Sequence, residues 1–186
     1  MNRRSVLFAL GCSVAFAGGC APRLYTGPLD SRPETTYVLA SGDRLRVIVF
    51  GQDNLANIYA VDGEGRIAMP LIGPVRVAGG NTRDAARIIE ARLRNGFIRE
   101  PKVSVEIDAY RPFFILGEVL NPGQFPYVSG MSVQTAAAIA GGFTPRAAQS
   151  YAQLTRPVPE GLITANVPVT YPVRPGDTIV IKERWF

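Results

Sequence analysis

From Arg44 to Val49, Leu45, Val47 and Val49 alternate with Arg44, Arg46 and Ile48, directly after a Ser41-Gly42-Asp43 turn. A period of two predicts a strand with one buried face. Residues 58–61 and 66–69 form two further short runs, separated by Asp62-Gly63-Glu64-Gly65. Asp-Gly accepts the positive φ of a tight turn, so this joint predicts a hairpin. Pro70, Gly73 and Pro74 punctuate a second short pair, residues 71–72 and 75–77. The period then lengthens to 3.6. Ala85, Ala86, Ile88, Ile89 and Leu93 fall on one side of a helix, and Arg83, Arg87, Glu90 and Arg94 on the other. Asn81 or Thr82 can cap that helix, and Gly96 can stop it after about Asn95. Glu90 and Arg94 are spaced as an i,i+4 ion pair. Arg92 lies in the apolar sector, where it either snorkels beside the negative helix end or meets a partner subunit. Alternation returns over 101–108, with Val103, Val105 and Ile107 on one face.

A second unit starts near Tyr110. Residues 113–119 predict a strand, and Asn121-Pro122-Gly123 fits a turn with Pro second and Gly third, Gly123 at positive φ, leading into residues 124–128. Ser132 can cap a short helix over 133–140 that Gly141-Gly142 ends. Apolar runs over 162–167 and 173–181 close the pattern. One internal echo stands out. Tyr37-x-Leu-x-x-Gly42-Asp43-x-Leu-x-Val and Tyr171-x-Val-x-x-Gly176-Asp177-x-Ile-x-Ile share their spacing. A reused turn leading into a strand accounts for it, with Gly supplying unusual φ and Asp bonding nearby backbone. The prediction is an α+β chain of two units, residues 37–109 and 110–186.

Composition narrows the chemistry. The 186 residues are 47% apolar and 19% charged, too apolar and too weakly charged for a disordered chain. Histidine is absent, which excludes Ser-His-Asp and Cys-His catalysis and His-ligated zinc. The two cysteines, Cys12 and Cys20, lie in the first twenty residues, so the body has neither a disulfide framework nor a thiolate nucleophile. Arg3 and Arg4, the apolar run over 6–16 and Ala17-Gly18-Gly19-Cys20 read as an export signal. The signal resembles that of bacterial lipoproteins, which implies cleavage after residue 19 and lipid attachment at Cys20. Ala17 stands where such signals usually carry Leu. Residues 20–36, rich in Pro and without periodicity, read as a tether. Without Arg3 and Arg4 the basic residues number 18 against 15 acidic, so the net charge falls from +5 to +3. That is too little to argue for a nucleic-acid partner.

The motifs in their order carry a further resemblance. Tyr37-x-Leu-x-x-Gly42-Asp43-x-Leu-x-Val, Asp62-Gly63, Ile67-x-Met-Pro-Leu-Ile-Gly73, Pro101-x-Val-x-Val105, Gly117-Glu-Val-x-Asn121-Pro122-Gly123, Ala140-Gly-Gly142 and Pro175-Gly176-Asp177-x-Ile179 resemble the bacterial polysaccharide export family of outer-membrane lipoproteins. The resemblance implies a β-rich polysaccharide export domain over 37–109, then a β-grasp domain of the soluble-ligand-binding type over 110–186. It implies a homo-oligomeric ring in the periplasm that passes capsular or extracellular polysaccharide outward, together with an inner-membrane co-polymerase. Long members of the family continue into a C-terminal membrane helix. This chain stops at Lys182-Glu-Arg-Trp-Phe186 and resembles the short members, which implies a separate outer-membrane pore protein. Trp185 and Phe186 suit either packing on the second domain or a membrane interface.

Enzymatic alternatives find little footing. Gly63-x-Gly65-x-x-Ala68 matches a dinucleotide-binding string, but Pro70 follows where a helix would have to start. Asp43, Glu64, Glu118 and Asp177 are the acids nearest structured turns and the candidates for a glycosidase pair. Neither a cofactor nor a metal is expected. The alternative to a conduit is an envelope scaffold that holds glycan without conducting it.

Overall fold

In a computed structural model of the chain, residues 36–159 and 161–184 are described. The expected signal, the tether, Cys12, Cys20, Trp185 and Phe186 lie outside them.

The first half is built on β1 (Arg44–Val49), flanked antiparallel by β2 (Asn57–Ala60) and β5 (Val103–Ala109). A separate hairpin joins β3 (Arg66–Met69) to β4 (Gly73–Arg76), and helix α1 (Thr82–Arg94) precedes β5. The alternation in β1 sends Leu45, Val47 and Val49 into one buried cluster with Ile67, Val75, Ile89 and Leu93. Asn81 is the N-cap of α1, accepting from the N–H groups of Arg83 and Asp84 while Asp84 accepts from the N–H of Asn81.

The second half is a mixed five-stranded sheet in the order β7-β6-β10-β8-β9. Its strands are β6 (Phe113–Gly117), β7 (Gly123–Phe125), β8 (Tyr151–Val158), β9 (Gly161–Pro168) and β10 (Thr178–Ile181). β6 and β10 run parallel at its centre, and the other pairs are antiparallel. Helix α2 (Val133–Ile139) adds Val133, Ala136 and Ala137 to the buried cluster formed by Phe113, Ile115, Leu154, Ile179 and Ile181. The chain is thus α+β, with a β-grasp-like arrangement of one helix on a mixed sheet.

Two local expectations are corrected. The Asp62–Gly65 turn does not close a hairpin, because β2 is paired to β1 and β3 to β4. Asp62 folds the turn on itself by accepting from the N–H of Glu64 and of Arg66, and positive φ falls at Gly65 rather than Gly63. Glu90 accepts from the N–H of Val103 instead of forming the expected pair with Arg94, and so ties α1 to β5. Arg92 donates to the carbonyl of Pro74 at 2.6 Å, spanning from the helix to β4. β8 was not foreseen at all. Its inward positions are Ala152, Leu154 and Arg156, and the buried arginine breaks the apolar period.

Candidate functional site

Among the described residues, three charged side chains are buried, Asp43, Asp177 and Arg156. Unpaired, such groups would cost several kcal/mol each, so their partners show what the fold is built around.

Asp43 heads β1. Its Oδ2 accepts from the N–H of Ala40 at 2.9 Å, and the Tyr37 hydroxyl donates to Oδ1 and Oδ2 at 2.8 and 2.9 Å. Oδ1 also accepts from the backbone N–H of Arg111 at 2.9 Å. The Arg111 side chain donates through Nη1 to the Tyr37 oxygen at 2.9 Å and through Nε to the Pro175 carbonyl at 3.1 Å. Nη1 stands 3.6 Å from Asp43 Oδ2, and the guanidinium carbon is 5.8 Å from the Tyr37 ring centre.

The second half repeats the set. Asp177 Oδ2 accepts from the N–H of Arg174 at 2.7 Å, and Arg156 donates to its two oxygens through Nε at 2.9 Å and Nη2 at 2.8 Å. The Arg156 guanidinium carbon lies 5.7 Å from the ring centre of Tyr171. Backbone bonds match as well: Gly42 donates to the Val61 carbonyl, and Gly176 to the Pro112 carbonyl. The sequence echo is therefore a duplicated Tyr-Asp-Arg arrangement, more than a shared turn. The arginine differs in kind. Arg156 comes from β8 within its own half, whereas Arg111 comes from the segment joining β5 to β6.

Arg111 is wedged between the two turns. A Cβ added to Gly42 would stand 3.3 Å from the Arg111 Cβ, and one on Gly176 would stand 2.8 Å from its Nε. Both glycines have φ near +90°, at +92° and +85°, so backbone conformation and close approach both call for glycine. Tyr37, Tyr110 and Tyr127 continue the junction as edge-on rings with centres 4.9 and 5.3 Å apart. Burial pushes the Tyr37 phenol far above its ordinary pKa; Arg111 opposes this and Asp43 adds to it. Burial pulls the Arg156 guanidinium down, but the hydrogen bond and charge of Asp177 outweigh it, and its net pKa is raised.

The remaining expected residues occupy a different corner. Gly117 ends β6 at φ +84°, where an added Cβ would stand 2.1 Å from the Ile181 carbonyl oxygen. Asn121 donates its backbone N–H to Ala140, at the end of α2, at 2.8 Å. Gly123, expected at positive φ after Pro122, is not in that region. It opens β7 opposite Ile115, and a strand residue needs ordinary extended backbone. The four candidate acids do not assemble a hydrolytic pair. Asp43 and Asp177 are saturated by buried donors, Glu118 accepts from the Thr144 hydroxyl, and Glu64 stands exposed 3.0 Å from Arg66. The G-x-G-x-x-A string runs from a turn into β3, not into a helix. Among the described residues no group of three or more Cys, Asp or Glu side chains is gathered as for a metal ion, and no helix is long and apolar enough to cross a membrane.

Sequence reasoning missed Tyr110, Arg111 and Arg156. The signal available was the echo itself, since two buried aspartates in duplicate turns require two cations.

A family model described as polysaccharide biosynthesis/export protein matches residues 31–108, and an SLBB domain model matches residues 112–173. Arg111 sits between the two matches. Over 86 residues, 45% of this chain and 20% of the relative, the sequence is 33% identical to the exopolysaccharide production protein ExoF of Rhizobium meliloti (strain 1021). Over 111 residues, 59% of this chain and 20% of the relative, it is 27% identical to the polysialic acid transport protein KpsD of Escherichia coli. The matched stretch spans about a fifth of the length of these curated relatives.

Proposed function

We propose that the chain is a member of the bacterial polysaccharide export family, a non-enzymatic envelope component that passes capsular or extracellular polysaccharide outward as a ring-shaped passive conduit; the two family models, which together match most of residues 31–173, support this reading. In this reading residues 1–19 are a cleaved signal, Cys20 carries the lipid, and residues 20–36 tether the protein to the periplasmic face of the outer membrane. Residues 37–109 and 110–186 are the export and β-grasp domains. The ring works with an inner-membrane co-polymerase and a separate outer-membrane pore protein.

The observation that carries the reading is the Arg111 junction, where the stretches matched by the two family models meet and are held by half-buried hydrogen bonds to Asp43, Tyr37 and Pro175. A conduit wall needs its parts in fixed relation, and it lowers no chemical barrier. Its contribution is a polar path that spares a hydroxyl-rich polymer desolvation. Deleting the gene should abolish surface polysaccharide while lipid-linked synthesis continues. Surface polysaccharide unchanged in the deletion strain would overturn the reading, and a strictly monomeric lipoprotein on mass photometry would favour the glycan-holding scaffold.

A further inference from the structure

The outward face of the five-stranded sheet carries no charge at any strand position, in a chain with 20 basic and 15 acidic residues. The outward face of the three-stranded sheet is the contrast. There Arg44 and Arg46 stand 3.7 and 2.7 Å from Asp108. Strand register orders the uncharged face into rows. One row runs Gln124, Phe114, Thr178, Thr155, Thr164 across β7, β6, β10, β8 and β9. The next runs Leu116, Val180, Gln153, Asn166. The face is therefore divided. Its β6 side is apolar, with Phe114 40% and Leu116 46% exposed, and on its β8–β9 side the neutral amides and hydroxyls of Gln153, Asn166, Thr155 and Thr164 form a central patch between the Tyr151–Pro168 and Pro157–Leu162 pairs. The Thr155 and Thr164 oxygens lie 2.9 Å apart; one donates to the other, so the pair keeps a free donor and spare lone pairs.

A pyranose has the same division, with C–H groups on its faces and hydroxyls around its edge. We propose that this face binds a neutral, hydroxyl-rich saccharide chain, with sugar C–H groups resting on Phe114 and Leu116 and hydroxyls bonded by Gln153, Asn166, Thr155 and Thr164. Charge complementarity selects the occupant. A polyol replaces the water on the amides and hydroxyls with donors and acceptors of its own, whereas an ionic polymer meets no counter-charge and an apolar protein surface strands the polar half unpaired. From β6 to β9 is about 14 Å, three strand spacings of ~4.8 Å, room for a short oligosaccharide across the strands. The proposal rests on the polysaccharide-export reading and gives that reading a surface.

The test is affinity electrophoresis of the purified full-length protein in native gels containing dextran or hydroxyethyl cellulose, with alginate as the charged comparison. The neutral polymers should retard the protein and alginate should not. Phe114→Ala and Asn166→Ala should each weaken retardation about two- to ten-fold, with Phe114→Tyr retaining it and the melting temperatures unchanged. Absence of retardation in both neutral gels, or retardation untouched by Phe114→Ala and Asn166→Ala, would overturn the proposal. Variants that lower the sedimentation coefficient while leaving retardation intact would assign the face to a second copy of the chain instead. Retardation with wild-type surface polysaccharide in the deletion strain would sink the export reading and leave the binding face standing.

Discussion

Arg111 and Arg156 answer the same demand, a cation for a buried aspartate, from different depths. The Arg156 side chain is 5% exposed and grips Asp177 with two nitrogens, so Arg156→Ala should cost about 3–5 kcal/mol. The Arg111 side chain is 23% exposed. Its removal leaves Asp43 three backbone and hydroxyl donors, and Arg111→Ala should cost about 1–2 kcal/mol. Urea titrations of the two variants check the order, and equal losses would contradict it. Tyr37 adds a pH signature. Its folded pKa is raised above the unfolded value of 10, so the folded state holds the proton more tightly. Its contribution is complete below pH 10 and is lost as pH rises above it. Melting temperature should fall from pH 9 to 11 with a shallower slope in Tyr37→Phe. At the glycines the predictions diverge: Gly117→Ala should prevent normal folding or cost more than about 3 kcal/mol, because backbone strain and the Ile181 carbonyl oppose a Cβ. Gly123→Ala should change stability by about 0.5 kcal/mol or less. The turn motif around Asn121 predicts positive φ for Gly123, but strand pairing with β6 imposes extended backbone there.

At the scale of elements, local signals that need no distant partner were legible. Asn81, Asp84 and Gly96 bracket α1, and Ser132 with Gly141 brackets α2, because caps and stops act within one turn. Asn81→Ala should cost about 1 kcal/mol in chemical denaturation, and Thr82→Ala, at a position that supplies no cap, should be nearly neutral. Pairing was less legible. Two short runs around Asp-Gly satisfy hairpin chemistry, yet β2 completes the sheet of β1 and β3 turns to β4, with Tyr59 and Ile67 buried in one core from separate ladders. β8 was hidden for a related reason: Arg156 occupies an inward position, and it is Asp177, 21 residues away, with the Pro172 carbonyl beside it, that makes a buried arginine tolerable there.

At the scale of the whole molecule, Arg111 joins the two halves, bonding to Asp43 and Tyr37 in one and to the Pro175 carbonyl in the other. Loss of its side chain should loosen their relation more than it unfolds either. In limited proteolysis, Arg111→Ala should be cut near residues 109–112 at protease levels that leave the parent intact, with the two fragments still resistant. Uniform digestion of the variant would show that the junction stabilises each half rather than their arrangement. Attachment is tested separately: Cys20→Ser should abolish lipid labelling and release the protein from membranes, while Cys12→Ser should leave both unchanged.

The sequence by itself determined the α+β character, the helix limits, the strand parities and the duplicated Tyr-Asp spacing, because each depends on neighbours within a few residues. Tertiary structure alone decided which strands pair, which arginine meets each aspartate, and that β10 lies between β6 and β8. Those outcomes depend on contacts between residues as far apart as Tyr37 and Arg111, separated by 74 positions. A periodic pattern specifies which side of an element is buried, and it carries no information about which other element does the burying.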